Sequence, residues 1–409
     1  MIARPMRLEN PILEYAWGSR SAIQELLGRE TDGRTPWAEL WMGAHPKAPS
    51  RVVTNGDTIP LNTLIDRHPE AILGNTVAGA FGGTLPFLLK VLAADQPLSI
   101  QAHPDRHLAE EGFERENRLR IPIDAPHRNY RDRWPKPEII CAVKPFYGLN
   151  GFRKAAETRE LFRTFCPDGL SGAIDILSNN MIDGDNEEPA IRSMFEWLLQ
   201  MPAEKKAEAI RETTEKASGM ESEEARWIMQ LFKYYPEDIG MLSPLFLNLI
   251  RLEPFSAMFL PPGSLHAYLE GVGIELMANS DNVLRGGLTS KHMDVSELMR
   301  VVNFTPAPLE ILRPVAGSAC EQVFQTNADE FKLGVIRMDE GHPCSLPIPE
   351  GPEILLCMDG TARIFCGPDD SFLELEQGQS LLIPAGTGPC TIKGNAIFFR
   401  ASVPRPTRR

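Results

Sequence analysis

The stretch Leu98-Ser99-Ile100-Gln101-Ala102-His103-Pro104 alternates apolar and polar residues. A strand sends successive side chains to opposite faces, so Leu98, Ile100 and Ala102 point one way while Ser99, Gln101 and His103 point the other. An amide oxygen and an imidazole at i and i+2 can share one cation. The same pattern is an ordinary half-exposed strand in the absence of further donors. Just upstream, residues 85–93 are apolar except for Lys90, which predicts a buried strand carrying one cation. That lysine reads either as a snorkelling side chain or as a charge aimed into a cavity, where desolvation eases lysine chemistry. Lys136-Pro137-Glu138 enters a third apolar run, and alternation puts Glu138 on the face of Ile140 and Ala142. A carboxylate leading a buried strand needs a partner, either an arginine or a metal.

The texture changes over residues 152–240. Ile191, Met194, Phe195, Leu198 and Leu199 recur at helical spacing, as do Ile228, Leu231, Phe232 and Tyr235, so a helical block is predicted there. Shorter helices are predicted over 21–27 and 61–73, and a charged surface helix over 105–120 in which His107 is exposed and inert. The acidic run 183–188 lacks EF-hand spacing and reads as a loop before a helix. Strand character returns over 253–268. Its Pro261-x-Gly263-x-x-His266 spacing predicts a tight hairpin at the rim of a small barrel, with His266 facing inward. Glu275 follows on a strand, and then a loop over 278–288 holds Asp281, Arg285, Gly286 and Gly287. It reads either as a flexible backbone bringing an arginine to an anionic ligand or as a surface turn with a solvated arginine. From residue 318 the chain is β-rich again. Residues 378–386 repeat the strand and Pro-x-Gly turn, with Pro389 where the first copy has His266, which predicts a second barrel without the ligand. The basic tail over 404–409 is expected to fray.

Composition narrows the functional classes. A chain of 409 residues with 43% hydrophobic and 24% charged residues is expected to fold into two or three domains. No apolar run approaches the roughly 20 residues that span a bilayer, and the start lacks a signal-peptide core, so no membrane partner and a cytoplasmic location are expected. Seven scattered cysteines, with no C-x-x-C pair, read as free thiols and argue against a disulfide framework and a thiolate zinc site. The net charge of −13 argues against a nucleic-acid partner, while a few buried Lys and Arg still allow a small anionic substrate.

Gln101, His103, Glu138 and His266 are four non-thiolate donors on three strand-like segments, a set that matches a zinc site with nitrogen and oxygen ligands. The stretches LPFLLKVLAADQPLSIQAHPD, KPE, PPGSLHAY and SDNVLRGGLTSK resemble the type I phosphomannose isomerases, zinc enzymes with cupin domains. The resemblance runs from Tyr15-Ala16-Trp17-Gly18-Ser19 to the C-terminal barrel. It implies one Zn²⁺ per chain held by Gln101, His103, Glu138 and His266. It also implies an essential arginine at Arg285 and a substrate pocket including Trp17, Ser99, Lys90, Lys136, Tyr268, Glu275, Asp281 and Lys291. Arg285, Lys136, Glu275 and Asp281 are the catalytic candidates among these. Many bacterial members have histidine before the lysine of K-P-E, where this chain has Pro135, so a ring-opening role for that histidine does not transfer.

The fold expected is mainly β with a helical insert. A catalytic cupin (jelly-roll) domain would occupy 1–151 and 241–317, an all-α domain 152–240, and a degenerate cupin-like domain 318–409. The expected activity is zinc-dependent aldose-ketose isomerisation of mannose 6-phosphate and fructose 6-phosphate through an enediol, on a small-molecule sugar phosphate, by a monomer or weak homodimer. One alternative is a non-catalytic sugar-phosphate-binding cupin, which the full ligand set with Arg285 disfavours. The other is a metal-dependent oxygenase, which Gln101 and the phosphate-suited Lys and Arg disfavour.

Overall fold

The computed structural model describes residues 4–53, 57–179, 187–306, 308, 310–318, 320–367 and 371–404. Two antiparallel sheets, of 10 and 11 strands, carry most of the chain, and helices are inserted between two neighbouring strands of the first. The long strand His266–Ala278 is the hub of the 10-stranded sheet. One half of it pairs with Phe87–Ala94 and Glu138–Ala142, and the other with Ile100–Ala102 and Phe146–Phe152. Among the described residues the paired strands branch from this hub without closing into a ring.

Both ends of the chain build the second sheet. Met6–Glu9 pairs with Ser380–Ile383 on one side and with Arg51–Val53 on the other. The two sheets pack through one core: Leu40, Met42, Leu89, Val91, Ile139 and Leu276 from the first meet Val335, Leu356, Phe399 and Ala401 from the second. This is the face of the first sheet that alternation reserves for apolar side chains. Its other face is left for chemistry.

The helices Ala155–Phe165, Ser171–Asn179, Glu188–Gln200, Ala203–Ala217 and Glu223–Tyr234 form the expected helical block between Phe146–Phe152 and Leu247–Leu252. Their apolar stripes, including Phe162, Met194, Phe195, Trp227 and Leu231, share a core with Ile100, Ala102, Leu149 and Ala267. Ile100 and Ala102 are therefore spent on the helices, whereas Leu98, expected on the same side, packs with Trp17 against the separate cluster of Leu92, Ile140 and Met258. Residues 183–186 of the acidic run and 405–409 of the tail lie outside the described residues.

Several expectations need correction. Residues 61–73 form two helices, Leu61–Arg67 and Pro69–Leu73, because proline has no N–H to continue the first. The strands flanking Pro261 to Gly263 are not a paired hairpin: Ala257–Leu260 pairs with Glu138–Ala142, while His266 pairs with Gln101 and Asn150. The turn instead passes the chain from one arm of the sheet to the other. Gly286 and Gly287 are packed rather than flexible, since the strand Leu284–Gly287 pairs with Ile100–Ala102 and a Cβ on Gly287 would lie 3.1 Å from Gly240 Cα. Nor are all the cysteines free. Cys320–Cys344 and Cys366–Cys390 are disulfides with Cα separations of 5.6 and 4.2 Å, leaving Cys141, Cys166 and Cys357 as buried thiols. Strand pairing sets Cys366 directly opposite Cys390, a proximity that an odd count and the absence of C-x-x-C do not register. No described helix is long and apolar enough to cross a membrane.

Candidate metal centre and active site

Register builds the site. Trp41 lies opposite Lys90, Lys90 opposite Glu275, and Met277 opposite Glu138. Directly opposed residues share a face, so Glu39, Trp41, Lys90, Glu275 and Glu138 all project away from the inter-sheet core. His266 lies nine residues before Glu275, and an odd spacing in a regular strand would put the two on opposite faces. A register shift between Tyr268 and Glu270 reverses the alternation, so that His266 and Tyr268 join the face of Glu275.

His103, Glu138 and His266 then form a buried group whose possible ligand atoms all lie within 4.8 Å of one another. His103 Nε2 is 3.4 Å from Glu138 Oε1, and His266 Nε2 is 3.4 Å from Glu138 Oε2. Each imidazole spends its other nitrogen on a backbone carbonyl, Nδ1 of His103 donating to Asn282 O at 2.7 Å and Nδ1 of His266 to Ser264 O at 2.9 Å. That assignment puts both Nε2 lone pairs toward a carboxylate, and His103 Nε2 is buried with no hydrogen-bond partner. Burial, reinforced by the Lys136 ammonium, pushes the His103 imidazole down to about 4, so it stays neutral. Imidazole lone pairs that converge on a carboxylate repel it unless a cation sits among them. Gln101 is the cross-strand partner of His266; its amide nitrogen donates to Ser99 Oγ at 3.1 Å, which leaves its oxygen as a fourth donor. The donor set of one carboxylate, two imidazoles and an amide fits a divalent metal such as zinc.

A charged network extends from this group. Lys136 Nζ is 2.8 Å from Glu138 Oε1, and the Tyr268 hydroxyl donates to Glu138 Oε2 at 3.4 Å. Lys90 Nζ lies 2.8 Å from Glu275 Oε2, 3.4 Å from Glu39 Oε1 and 5.1 Å from the Trp41 ring centroid. Burial alone would discharge Lys90, but Glu275 and Glu39 outweigh it and hold the ammonium above its ordinary value. Burial pushes the Glu275 carboxyl up against the opposing pull of Lys90, and it raises the Tyr268 hydroxyl too. Leu92, Ile140, Ala142, Ile250, Met258 and half-buried Trp17 floor the site with apolar surface. Trp17 also stacks on Tyr15 at 5.6 Å.

Arg285 lies opposite Gln101 in the adjoining strand pair. Burial, then Arg131, lowers its guanidinium, and burial, Arg285, Arg131 and Lys47 lower the Lys291 ammonium in that order. No carboxylate pairs with Arg131, Arg285 or Lys291 among the described residues, so the three make a cluster of unneutralised cations at the mouth. The backbone of Arg131 is fixed by its N–H donating to Asn282 Oδ1 at 2.7 Å, and Asn282 is the residue whose carbonyl holds His103. Asp281 turns to other partners, 2.9 Å from Lys47 Nζ and 3.5 Å from His45 Nε2. Despite partial burial, hydrogen bonds and charge from His45 and Lys47 hold its carboxyl far below the usual range.

The chain matches known proteins over most of its length. The family model described as phosphomannose isomerase type I, catalytic domain, matches residues 6–155, and that of the type I helical insertion domain matches 173–247. A curated mannose-6-phosphate isomerase of Escherichia coli (strain K12) is 39% identical over 396 residues, covering 96% of this chain and 98% of the relative. The chain belongs to the type I phosphomannose isomerase family. The mannose-6-phosphate isomerase of Bos taurus is 36% identical over 424 residues, covering 95% of this chain and 96% of its own. Among solved structures, a mutant phosphomannose isomerase from Salmonella typhimurium superposes with a TM-score of 0.90 at 38% identity, covering 98% of this chain and 100% of that one. A zinc-bound mannose 6-phosphate isomerase gives 0.89 at 38% identity with the same coverage.

Of the positions that the type I resemblance assigns, Gln101, His103, Glu138, His266, Lys136, Tyr268, Lys90, Glu275 and Ser99 form one connected region. Arg285 borders it through Gln101, Lys291 stands at the exposed rim, and Asp281 is drawn off by His45 and Lys47. Sequence reasoning missed Glu39, His45, Lys47 and Arg131. The Glu39-x-Trp41 alternation was a usable signal for the first, since Trp41 Nε1 donates to Glu39 Oε2 at 2.8 Å. Pro135 stands immediately before K-P-E, and the preceding Trp134 packs on Phe81 and Arg106, so the Trp134-Pro135 pair supplies no titrating group.

Proposed function

We propose that this chain interconverts mannose 6-phosphate and fructose 6-phosphate, with one zinc ion held by Gln101, His103, Glu138 and His266. The observation that carries the reading is the convergence of two buried imidazoles on Glu138 beside Lys136. A zinc ion bound there supplies positive charge that polarises the sugar's carbonyl and hydroxyl oxygens. The chain's own residues do the rest. Arg285 stabilises negative charge that develops on those oxygens, and Arg131 and Lys291 bind the phosphate. Isomerisation through an enediol moves a proton from C2 to C1. Lys136 and Glu275 are the candidates for carrying it, because both are buried next to the ligand group. Asp281, held as a weakly basic carboxylate, instead positions the mouth through His45 and Lys47.

The catalytic part is assigned to 1–151 and 241–317 in a cupin arrangement, the helical domain to 152–240 and the C-terminal cupin-like domain to 318–409. The same reading makes the protein a cytoplasmic monomer or weak homodimer. The test is direct: metal-replete protein is given mannose 6-phosphate, and fructose 6-phosphate is measured in a coupled assay. Turnover that disappears on chelation and returns with zinc supports the reading. Binding of the sugar phosphate without conversion would replace it with the non-catalytic alternative.

A further inference from the structure

A second cavity, of about 560 Å³, shares the 261–264 turn with the metal centre. None of the proposed metal ligands, and neither Lys90, Lys136 nor Arg285, lines it. Its walls carry the amides of Asn150, Asn303, Gln325 and Asn327 and the hydroxyls of Ser264 and Thr326. Amides and hydroxyls both donate and accept, which matches ligand hydroxyls that also do both. Phe259 adds an apolar surface of the kind that packs against the C–H groups of a sugar. Among the described residues the lining contains no Lys or Arg, and its one charged residue, Glu310, is acidic, so a phosphate is disfavoured here. Gln325, Thr326 and Asn327 make no side-chain hydrogen bond to the protein among the described residues.

The turn connects this cavity to the metal ligands. Gly263 N donates to His103 O at 2.7 Å, and Ser264 O accepts from His266 Nδ1 at 2.9 Å. From the cavity side, Asn303 N donates to Gly263 O at 2.9 Å and Ser264 Oγ donates to Asn150 Oδ1. Gly263 holds a φ of 84°, and a Cβ there would meet Val301 O at 3.0 Å, so the turn packs directly on the 301–303 segment.

We propose that this cavity binds an uncharged polyol or monosaccharide, and that its occupancy stiffens the 261–264 turn and slows loss of metal from His103 and His266. The coupling half rests on the metal assignment above; the binding half does not.

The test uses the full-length, zinc-loaded protein with D-mannitol as the probe. Calorimetry should show saturable binding with a Kd of about 1–10 mM, the range for a small ligand held by a few exposed hydrogen bonds. Hydrogen exchange should slow in peptides covering 259–266 and 324–328, and zinc transfer to a chromogenic chelator should slow severalfold at saturating mannitol. Mannitol 1-phosphate should not compete at this site. Thr326→Trp, which fills the cavity, should abolish all three effects without changing turnover in the absence of mannitol. Gln325→Leu, at an exposed position, gives an independent check if the tryptophan variant misfolds, and it should weaken binding severalfold. Absent saturable binding, protection elsewhere in the chain, or binding indifferent to both variants would overturn the site. Binding in the cavity with an unchanged rate of zinc loss would overturn the coupling, and failure to bind zinc at all would overturn the metal assignment while leaving mannitol binding to be judged by itself.

Discussion

Each sheet buries one cation between two carboxylates, and the two clusters differ in what they leave over. In the C-terminal sheet Arg400 donates from Nε to Glu353 at 2.8 Å, from a second nitrogen to the other Glu353 oxygen, and from its third to Glu321 at 2.8 Å. All three of its nitrogens donate to these carboxylates, and the cluster ties three strands together. Lys90 sits between Glu275 and Glu39, and Glu275 lies on the face that carries Tyr268, Glu138 and Lys136 toward the metal ligands. The same charge arrangement is a staple in one place and the end of a working network in the other. The two Pro-x-Gly turns repeat the contrast. Gly263 and Gly386 both have positive φ, at 84° and 69°, but the first turn leads into His266 and the second into Pro389 and the disulfide-bonded Cys390. Behind the second turn, Leu355, Ile364, Leu381, Ile392 and Phe398 form an apolar core. What separates the two sheets functionally is the chemistry of inward-facing side chains, not the backbone that presents them.

The largest test of this contrast is His266→Ala. It should yield protein that folds but loses both bound zinc and turnover, as read by metal analysis beside the coupled assay; retention of the metal would remove His266 from the ligand set. Next comes Arg400→Met, which leaves two buried carboxylates without their cation and should cost about 3–5 kcal/mol of stability in denaturant unfolding. KM in the surviving folded fraction should be unchanged, and a raised KM would mean that the C-terminal sheet takes part in substrate binding. Arg285→Ala should retain fold and zinc and lose on the order of a hundredfold or more in kcat, as loss of a charge partner of the transition state does. If zinc is lost too, the separation of metal-holding from charge-stabilising roles fails. The smallest expected effect is that of Arg131→Ala, a rise of about tenfold in KM for mannose 6-phosphate, the value of one charge-assisted hydrogen bond. An unchanged KM would place the phosphate elsewhere.

The proposed ligand residues were legible from local pattern: Gln101 and His103 are polar positions in a strand alternation, Glu138 follows Pro137 at a strand start, and His266 follows the Pro261 to Gly263 turn. The helical block was legible for the same reason, with Ile191, Met194 and Leu198 keeping a 3.6-residue period. What escaped was set by register between distant strands. Glu39 reaches Lys90 because Trp41 lies opposite it across 49 residues of chain, and no local pattern encodes that pairing. Arg131 and His45 enter through loops tied to Asn282 and Asp281. The shift at Tyr268 and Glu270 that brings His266 and Glu275 onto one face is followed directly by Gly271, whose φ is 131°, but a single glycine in a strand does not say that the alternation reverses there. Nor does a count of seven cysteines reveal that four of them meet as pairs.

The most direct test is a crystal structure of the zinc-replete protein with anomalous data at the zinc edge. One strong peak per chain is predicted, bounded by Gln101, His103, Glu138 and His266, with Lys136 beside Glu138. A peak held by other residues, or none in protein that turns over mannose 6-phosphate, would contradict the account.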